Sequence, residues 1–308
     1  MRMVATSAPR RWLELALDYR CNLRCIGCHA CHDTGERLST EQAVGILRDG
    51  RARGIESLWI GGGEPTLRDD VLTLVKTARK LGYERVLLQT NGMRLAYPAY
   101  LTALVDARVT DVSVNVKSLR AEVHNRLSGD GEGRSHALLL DALFGLAKCD
   151  VRVAADVLVT KTTMIDLAET VTFFAARGVS RFVLWLLSAA DVAEPLVDAE
   201  IPRIAHLVPH LEAAVRAAQA ARVEIVSLHT PPCTLPAALR PVFAPASELA
   251  LLVVGPDARA FALEDSPFEG GAYTAQCDAC AERARCGGPR ADYVRIHGAG
   301  EFLAIERG

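Results

Sequence analysis

Three cysteines fall within eight residues of the stretch Cys21-Asn22-Leu23-Arg24-Cys25-Ile26-Gly27-Cys28, separated by gaps of three and two. Thiolates are soft ligands suited to zinc and to iron-sulfur clusters, and a structural zinc closes its shell with four protein ligands. Three thiols at this spacing suggest instead a 4Fe-4S cluster that keeps one iron for a small molecule. Cys31 adds a competing set, because Cys25, Cys28 and Cys31 are spaced by two and two. We assign Cys21, Cys25 and Cys28 as the ligands and treat Cys31 as a bystander. The plain alternative is a zinc knuckle, or cysteines packed as small hydrophobes.

A second group lies near the other end, Cys277-Asp278-Ala279-Cys280 followed by Cys286-Gly287-Gly288. Its spacing suits a four-cysteine zinc site or an iron-sulfur cluster equally. Nine cysteines, an odd number clustered at two ends, argue for metal ligation in a reducing compartment rather than a disulfide framework. A net charge of -2 and the lack of a basic run with interleaved aromatics give no footprint for nucleic acid. Met1 to Arg11 lacks the apolar core of a secretory signal, and no apolar run is long enough to span a bilayer. The expectation is a cytoplasmic protein with no membrane association.

The elements that must position these thiols alternate. Trp12 to Asp18 reads as a buried strand delivering the cysteine loop at its C-terminal end. Ser39-Thr40-Glu41-Gln42 has the form of a capping box, opening a helix to about Arg53. Strands follow at Ser57 to Ile60, Arg85 to Gln89, Asp111 to Val116, Val151 to Val159 and Arg181 to Leu187. Helices are expected at about Asp69 to Leu81, Pro98 to Asp106, Leu119 to Leu127, Ser135 to Lys148 and Ile165 to Arg177. Six strands alternating with helices imply an α/β fold with a parallel sheet and right-handed crossovers, covered on one face or rolled into a partial (β/α)6 barrel. Ligands of such sheets sit beyond the carboxyl ends of the strands. After about Ala190 the pattern changes to one long helix, Ile201 to Ala221, then short strands near Val223 to Val226, Leu249 to Val254 and Ala260 to Leu263. The expected division is 1–195 and 196–308.

Gly61-Gly62-Gly63-Glu64-Pro65 follows the second strand, where glycines allow close backbone approach and Glu64 brings a charge beside the cysteine loop. Thr90-Asn91-Gly92 ends the third strand and is also ordinary turn chemistry. Ser113, Asn115 and Lys117 alternate along the fourth strand and share one face. Trp185 on the sixth could line a cavity. Cys149 reads as a core residue, and His29, His32, His124 and His136 have no metal spacing.

The Cys-x3-Cys-x2-Cys stretch and the Gly-Gly-Glu segment, in this order, resemble the radical SAM superfamily. There three cysteines hold three irons and the fourth iron chelates S-adenosylmethionine (SAM). The resemblance implies a partial six-stranded barrel, a SAM amino-group contact at Gly62, Gly63 and Glu64, and further cofactor contacts near Asn91, Ser113 and Asn115. One departure stands out, since Gly27 replaces the aromatic residue common before the third cysteine. The C-terminal group resembles the SPASM or twitch region of these enzymes, a small β-hairpin and helix unit holding auxiliary 4Fe-4S clusters. By that resemblance Cys233 joins Cys277, Cys280 and Cys286 as fourth ligand of a single auxiliary cluster.

The implied activity is reductive cleavage of SAM to a 5'-deoxyadenosyl radical that abstracts hydrogen from a peptide or small natural-product substrate. A flavodoxin- or ferredoxin-type protein would supply the electron. Only a dozen residues precede the first strand, so a peptide substrate is expected to arrive on a separate carrier. An activase of glycyl-radical enzymes and a zinc-binding interaction protein are the alternatives.

Overall fold

Each strand alternates between two environments. In β1, Trp12–Ala16, Leu13 and Leu15 are fully buried on the helix side, where Leu13 packs beneath Gly50, while Trp12 and Glu14 turn the other way. The same alternation recurs in β2 (Ser57–Gly61) and β3 (Arg85–Thr90). Every leucine-sized side chain so buried contributes roughly 2 kcal/mol, so the outward residues fix which face of each strand meets the helices. The computed structural model describes residues 10–28, 34–189, 195–266 and 268–306. Cys31, His29 and His32 lie outside the described residues.

In chain order, β1 is followed by α1 (Thr40–Ala52), β2, α2 (Val71–Lys80), β3, α3 (Pro98–Asp106), β4 (Asp111–Val116), α4 (Ala121–Leu127) and α5 (Ser135–Leu146). Then come β5 (Arg152–Val159), α6 (Leu167–Ala175), β6 (Arg181–Leu186), α7 (Pro195–Glu200), α8 (Ile204–Ala221) and β7 (Glu224–Ser227). The chain continues with α9 (Ala246–Leu249), β8 (Leu251–Val254), β9 (Ala260–Ala262), α10 (Arg283–Cys286) and α11 (Ala291–His297). The capping box opens α1 as expected: Gln42 N–H donates to Ser39 Oγ at 3.1 Å and Ser39 N–H to Gln42 Oε1 at 2.8 Å. Helix α8 starts three residues later than its apolar pattern suggested, because Pro202 disfavours helical backbone at Ile201.

Strands run in the order β7-β6-β5-β4-β3-β2-β1-β8-β9, all parallel from β7 through β8, with β9 antiparallel at the edge. This is the expected α/β architecture with a parallel sheet that does not close. The late strands extend the barrel sheet itself, with β7 joining β6 and β8 joining β1. Sequential alternation alone could not reveal that, since β8 pairs with a strand more than 230 residues earlier.

Candidate active site

The cysteine loop emerges from β1 and is held on three sides. From the second strand, Gly63 N–H donates to Asp18 O at 2.8 Å and Glu64 N–H to Arg20 O at 2.7 Å. This contact demands glycine, because a Cβ on Gly63 would lie 2.2 Å from Arg20 O and 2.7 Å from the Tyr19 carbonyl carbon. From α4, Ser128 O accepts from Arg24 N–H at 3.1 Å and Leu127 O from Ile26 N–H at 2.9 Å. From β6, Leu187 and Ser188 close over Gly27, whose φ of 62° is left-handed and whose added Cβ would fall 2.4 Å from Leu187 Cδ1. An aromatic side chain has no room there, which gives a physical reason for the departure at Gly27.

Glu64 is 2% exposed, and its carboxylate is fully engaged. Oε1 accepts from Thr66 N–H at 3.0 Å, Thr66 Oγ1 at 2.5 Å and Thr90 Oγ1 at 2.7 Å, and Oε2 accepts from Asn91 N–H at 2.7 Å. Burial raises its pKa while these donors oppose the rise. Asn91 in turn donates through Nδ2 to Asn22 Oδ1 at 2.8 Å, inside the cysteine loop. The Gly-Gly-Glu and Thr-Asn-Gly segments thus form one scaffold around Cys21-Asn22, a link that sequence reading did not supply. Ser128 and Asn22 were also missed, and neither carries a composition signal that would single it out.

The three thiols of the loop lie near enough for Cys25 and Cys28 to act on Cys21. No disulfide joins cysteines among the described residues. Burial pushes the Cys21 thiol up to about 11, opposed by the Leu23 N–H on its sulfur, with further upward pressure from Glu64, Cys25 and Cys28 close by. A metal must displace that proton on binding, and N–H donors to cysteine sulfur are among the groups that tune clusters. At the C-terminal end the structure brings Cys233 together with Cys277, Cys280 and Cys286. Burial raises Cys233 to about 12, with Cys286, Cys280 and Cys277 adding to it in that order. Cys280 Sγ accepts from Ile305 N–H at 3.4 Å, and Thr274 Oγ1 lies 3.5 Å from Cys277 Sγ. Cys149 sits at the end of α5, its thiol 3.5 Å from Gly145 O.

A clasp joins the C-terminal region to the barrel. Arg290, 4% exposed, donates to Leu186 O and Leu187 O, both at 2.7 Å, and to Asp292 at 3.1 Å. Asp292 also receives Ala189 N–H at 2.8 Å and Ser188 Oγ at 3.2 Å. Leu187 and Ser188 are the residues packed on Gly27, so the two thiol groups are linked through the end of β6.

The concave side of the sheet is polar and encloses a cavity of about 630 Å³. Ser113 Oγ and Gln89 Nε2 each donate to Asp156 Oδ2 at 2.8 Å, and Trp185 Nε1 to Asp156 Oδ1 at 3.1 Å. Ser113 is therefore committed to this network, and Asn115 accepts from Lys117 Nζ. Glu14, Gln89 and Asp156 were missed in the sequence, although each is a polar interruption at an inward position of an apolar strand.

Burial raises the Glu14 carboxyl to about 7, with repulsion from Glu269 and Asp156 adding to it. The fold therefore holds a proton that the unfolded chain releases above about 4.3, and stability falls as pH rises from there to about 7. Glu14→Gln removes this dependence. The variant is expected to exceed wild type by on the order of 2 kcal/mol at pH 8 and by little at pH 5, read by denaturation at both pH values.

Comparison with known proteins agrees with this geometry. The Radical SAM superfamily profile matches residues 18–174, which contain the cysteine loop, Glu64 and Asn91. A probable GTP 3',8-cyclase of Saccharolobus solfataricus is 31% identical over 123 residues, 39% of each chain, and one of Archaeoglobus fulgidus is 34% identical over 122 residues, 39% of this chain and 40% of that one. The chain thus spans about two fifths of the length of these curated relatives. Streptococcus suis SuiB bound to S-adenosylmethionine superposes with a TM-score of 0.70 at 15% identity, over 96% of this chain and 76% of that one. The structure of anSMEcpe with bound AdoMet gives 0.67 at 16%, over 97% of this chain and 90% of that one. No helix among the described residues is long and apolar enough to cross a membrane. With the profile covering half of the chain and its cysteine loop framed by the Gly-Gly-Glu segment, the chain belongs to the radical SAM superfamily, enzymes that use a 4Fe-4S cluster and S-adenosylmethionine.

Proposed function

We propose that this enzyme abstracts hydrogen from a peptide or a small natural-product substrate held in the barrel interior, with a second 4Fe-4S cluster in the part from residue 196 onward. The carrying observation is the pair of thiol groups, Cys21/Cys25/Cys28 and Cys233/Cys277/Cys280/Cys286, joined through the β6 end by Arg290 and Asp292. When bound, the first cluster supplies the electron that cleaves SAM to methionine and a 5'-deoxyadenosyl radical. Cys21, Cys25 and Cys28 would hold that cluster. The peptide planes of Gly62 and Gly63 are the natural partners of the SAM amino group, while the Glu64 carboxylate fixes the loop through Thr66, Thr90 and Asn91. Asn91 and Asn115 remain candidates for cofactor contact at the strand ends, whereas Ser113, expected to join them, is bound to Asp156 within β4. The sheet's polar inner face orients the substrate and excludes competing quenchers.

A peptide substrate is supported by likeness of fold to SuiB, solved with its precursor peptide SuiA, and to anSMEcpe, solved with a Cp18Cys peptide. The GTP cyclases match over a much shorter stretch. The test is anaerobic turnover with a chemical reductant. Wild type should form 5'-deoxyadenosine from SAM, and Cys21→Ala/Cys25→Ala/Cys28→Ala should fall to background. Equal product from both would sink the proposal.

A further inference from the structure

The inner face of the barrel holds acceptors that lack donors. Gly61 gives the wall of β2 no side chain, and Glu14 Oε1 and Gln89 Oε1 close in to 3.3 Å from the point its Cβ would occupy. Gln89 cannot turn its amide to serve Glu14, because its Nε2 is held by Asp156 at 2.8 Å. Trp59 Nε1 approaches the same point at 3.4 Å and is buried without a partner. Glu14 itself makes no hydrogen bond or ion pair among the described residues, although it is enclosed enough for its proton affinity to rise. A half-buried carboxylate with no donor has nothing in the fold to offset its partial loss of water.

The four arginines that line the cavity, Arg85, Arg152, Arg181 and Arg222, stand at or just before the starts of their strands, where Arg85 and Arg152 pair with Asp111 and Arg181 lies 3.6 Å from Glu224. Lys117 Nζ is bound by Asn115 Oδ1, and the Arg290 guanidinium is taken by Asp292 and two carbonyl oxygens. Arg290 also lies 3.3 Å from His229 Nδ1, which directs the His229 Nε2–H toward Glu269 Oε2 at 3.4 Å. Glu14, Asp156 and Glu269 lie close enough for the latter two to repel charge on Glu14, a local concentration of carboxylates. Among the described residues no three such groups converge closely enough for a single metal ion. Trp59 and Trp185 add aromatic wall, the kind of surface that favours organic cations.

We propose that this cradle binds a positively charged nitrogen group of the substrate, an alkylammonium or guanidinium, whose N–H donors reach Glu14 and the Gln89 carbonyl oxygen. The assignment rests on the radical SAM reading above, since it places the substrate in that enzyme's barrel. It narrows the substrate to one carrying a basic group, such as a lysine- or arginine-like side chain or an aliphatic amine.

The probes are n-butylammonium and n-butylguanidinium, titrated by calorimetry into the anaerobic holoenzyme with SAM present, beside uncharged n-butyramide and anionic n-butyrate. All three tryptophans line the cavity, so their fluorescence gives a second readout. The cations should bind at least about tenfold more tightly than butyramide, and Glu14→Gln should remove that preference. Asp156→Asn, which keeps the side-chain shape, should weaken the cations to a lesser degree. Butyramide or butyrate binding as well as the cations, or unchanged cation binding by Glu14→Gln, would overturn the proposal. Iron content and 5'-deoxyadenosine formation on the same preparation separate the two claims. Two clusters and SAM cleavage without cation preference would defeat only this inference, whereas cation preference in a protein that takes up no iron would defeat only the radical SAM mechanism.

Discussion

Gly63→Ala is expected to cost the protein its N-terminal cluster while the sheet still forms. The added Cβ would meet Arg20 O at 2.2 Å and the Tyr19 carbonyl carbon at 2.7 Å, both backbone atoms that cannot rotate away. Relief requires the β2 loop and the stretch before Cys21 to separate, which breaks the Gly63–Asp18 and Glu64–Arg20 hydrogen bonds. Strain of this kind is worth about 2–4 kcal/mol, concentrated where three thiols must converge. Iron per chain should drop by about four, with SAM cleavage lost in proportion. Gly45→Ala is the control: it lies within α1, its Cβ meets nothing within 4 Å, and helix propensity predicts a gain of about 0.5–1 kcal/mol. Full iron content in Gly63→Ala would show that the two loops do not depend on each other.

The second large effect belongs to Arg290. Its guanidinium satisfies Leu186 O, Leu187 O and Asp292 at once, and a lysine cannot reproduce that fork. Arg290→Met leaves Asp292 buried with its negative charge uncompensated, a change that costs about 3–5 kcal/mol. The thermal midpoint should fall steeply, and the C-terminal cysteines should lose metal before the N-terminal ones. Adding Asp292→Asn to Arg290→Met should restore part of the loss, because the stranded charge goes with it. If the double variant is no better than the single one, the clasp matters through packing and not through charge.

Much of the barrel was legible because its signals are local. The period-two burial of Trp12–Ala16, the capping box at Ser39 and Gln42, and the alternation of strands with helices each depend on neighbours in sequence. The attachment of β8 to β1 was not legible, since nothing in Leu251–Val254 names a partner so distant in the chain. The cysteines at each end could be grouped by spacing, and Cys233 was joined to the C-terminal set by resemblance alone, not by any spacing signal of its own; the fold brings it near them. Glu64 illustrates a different limit. Its position beside the cysteine loop could be inferred from order, whereas the capture of its carboxylate by Thr90 and Asn91, at the end of another strand, could not. Glu14 and Asp156 announce themselves as charges within apolar strands, but that Asp156 finds three donors and Glu14 none is a property of the folded interior.

The measurement that bears most directly on the account is the iron and sulfide content, with the absorption spectrum, of protein purified without oxygen. Wild type is compared with Cys21→Ala/Cys25→Ala/Cys28→Ala and with Cys277→Ala/Cys280→Ala. The account predicts about eight irons per chain, falling to about four in either variant. Zinc in place of iron at Cys21, Cys25 and Cys28 would contradict it.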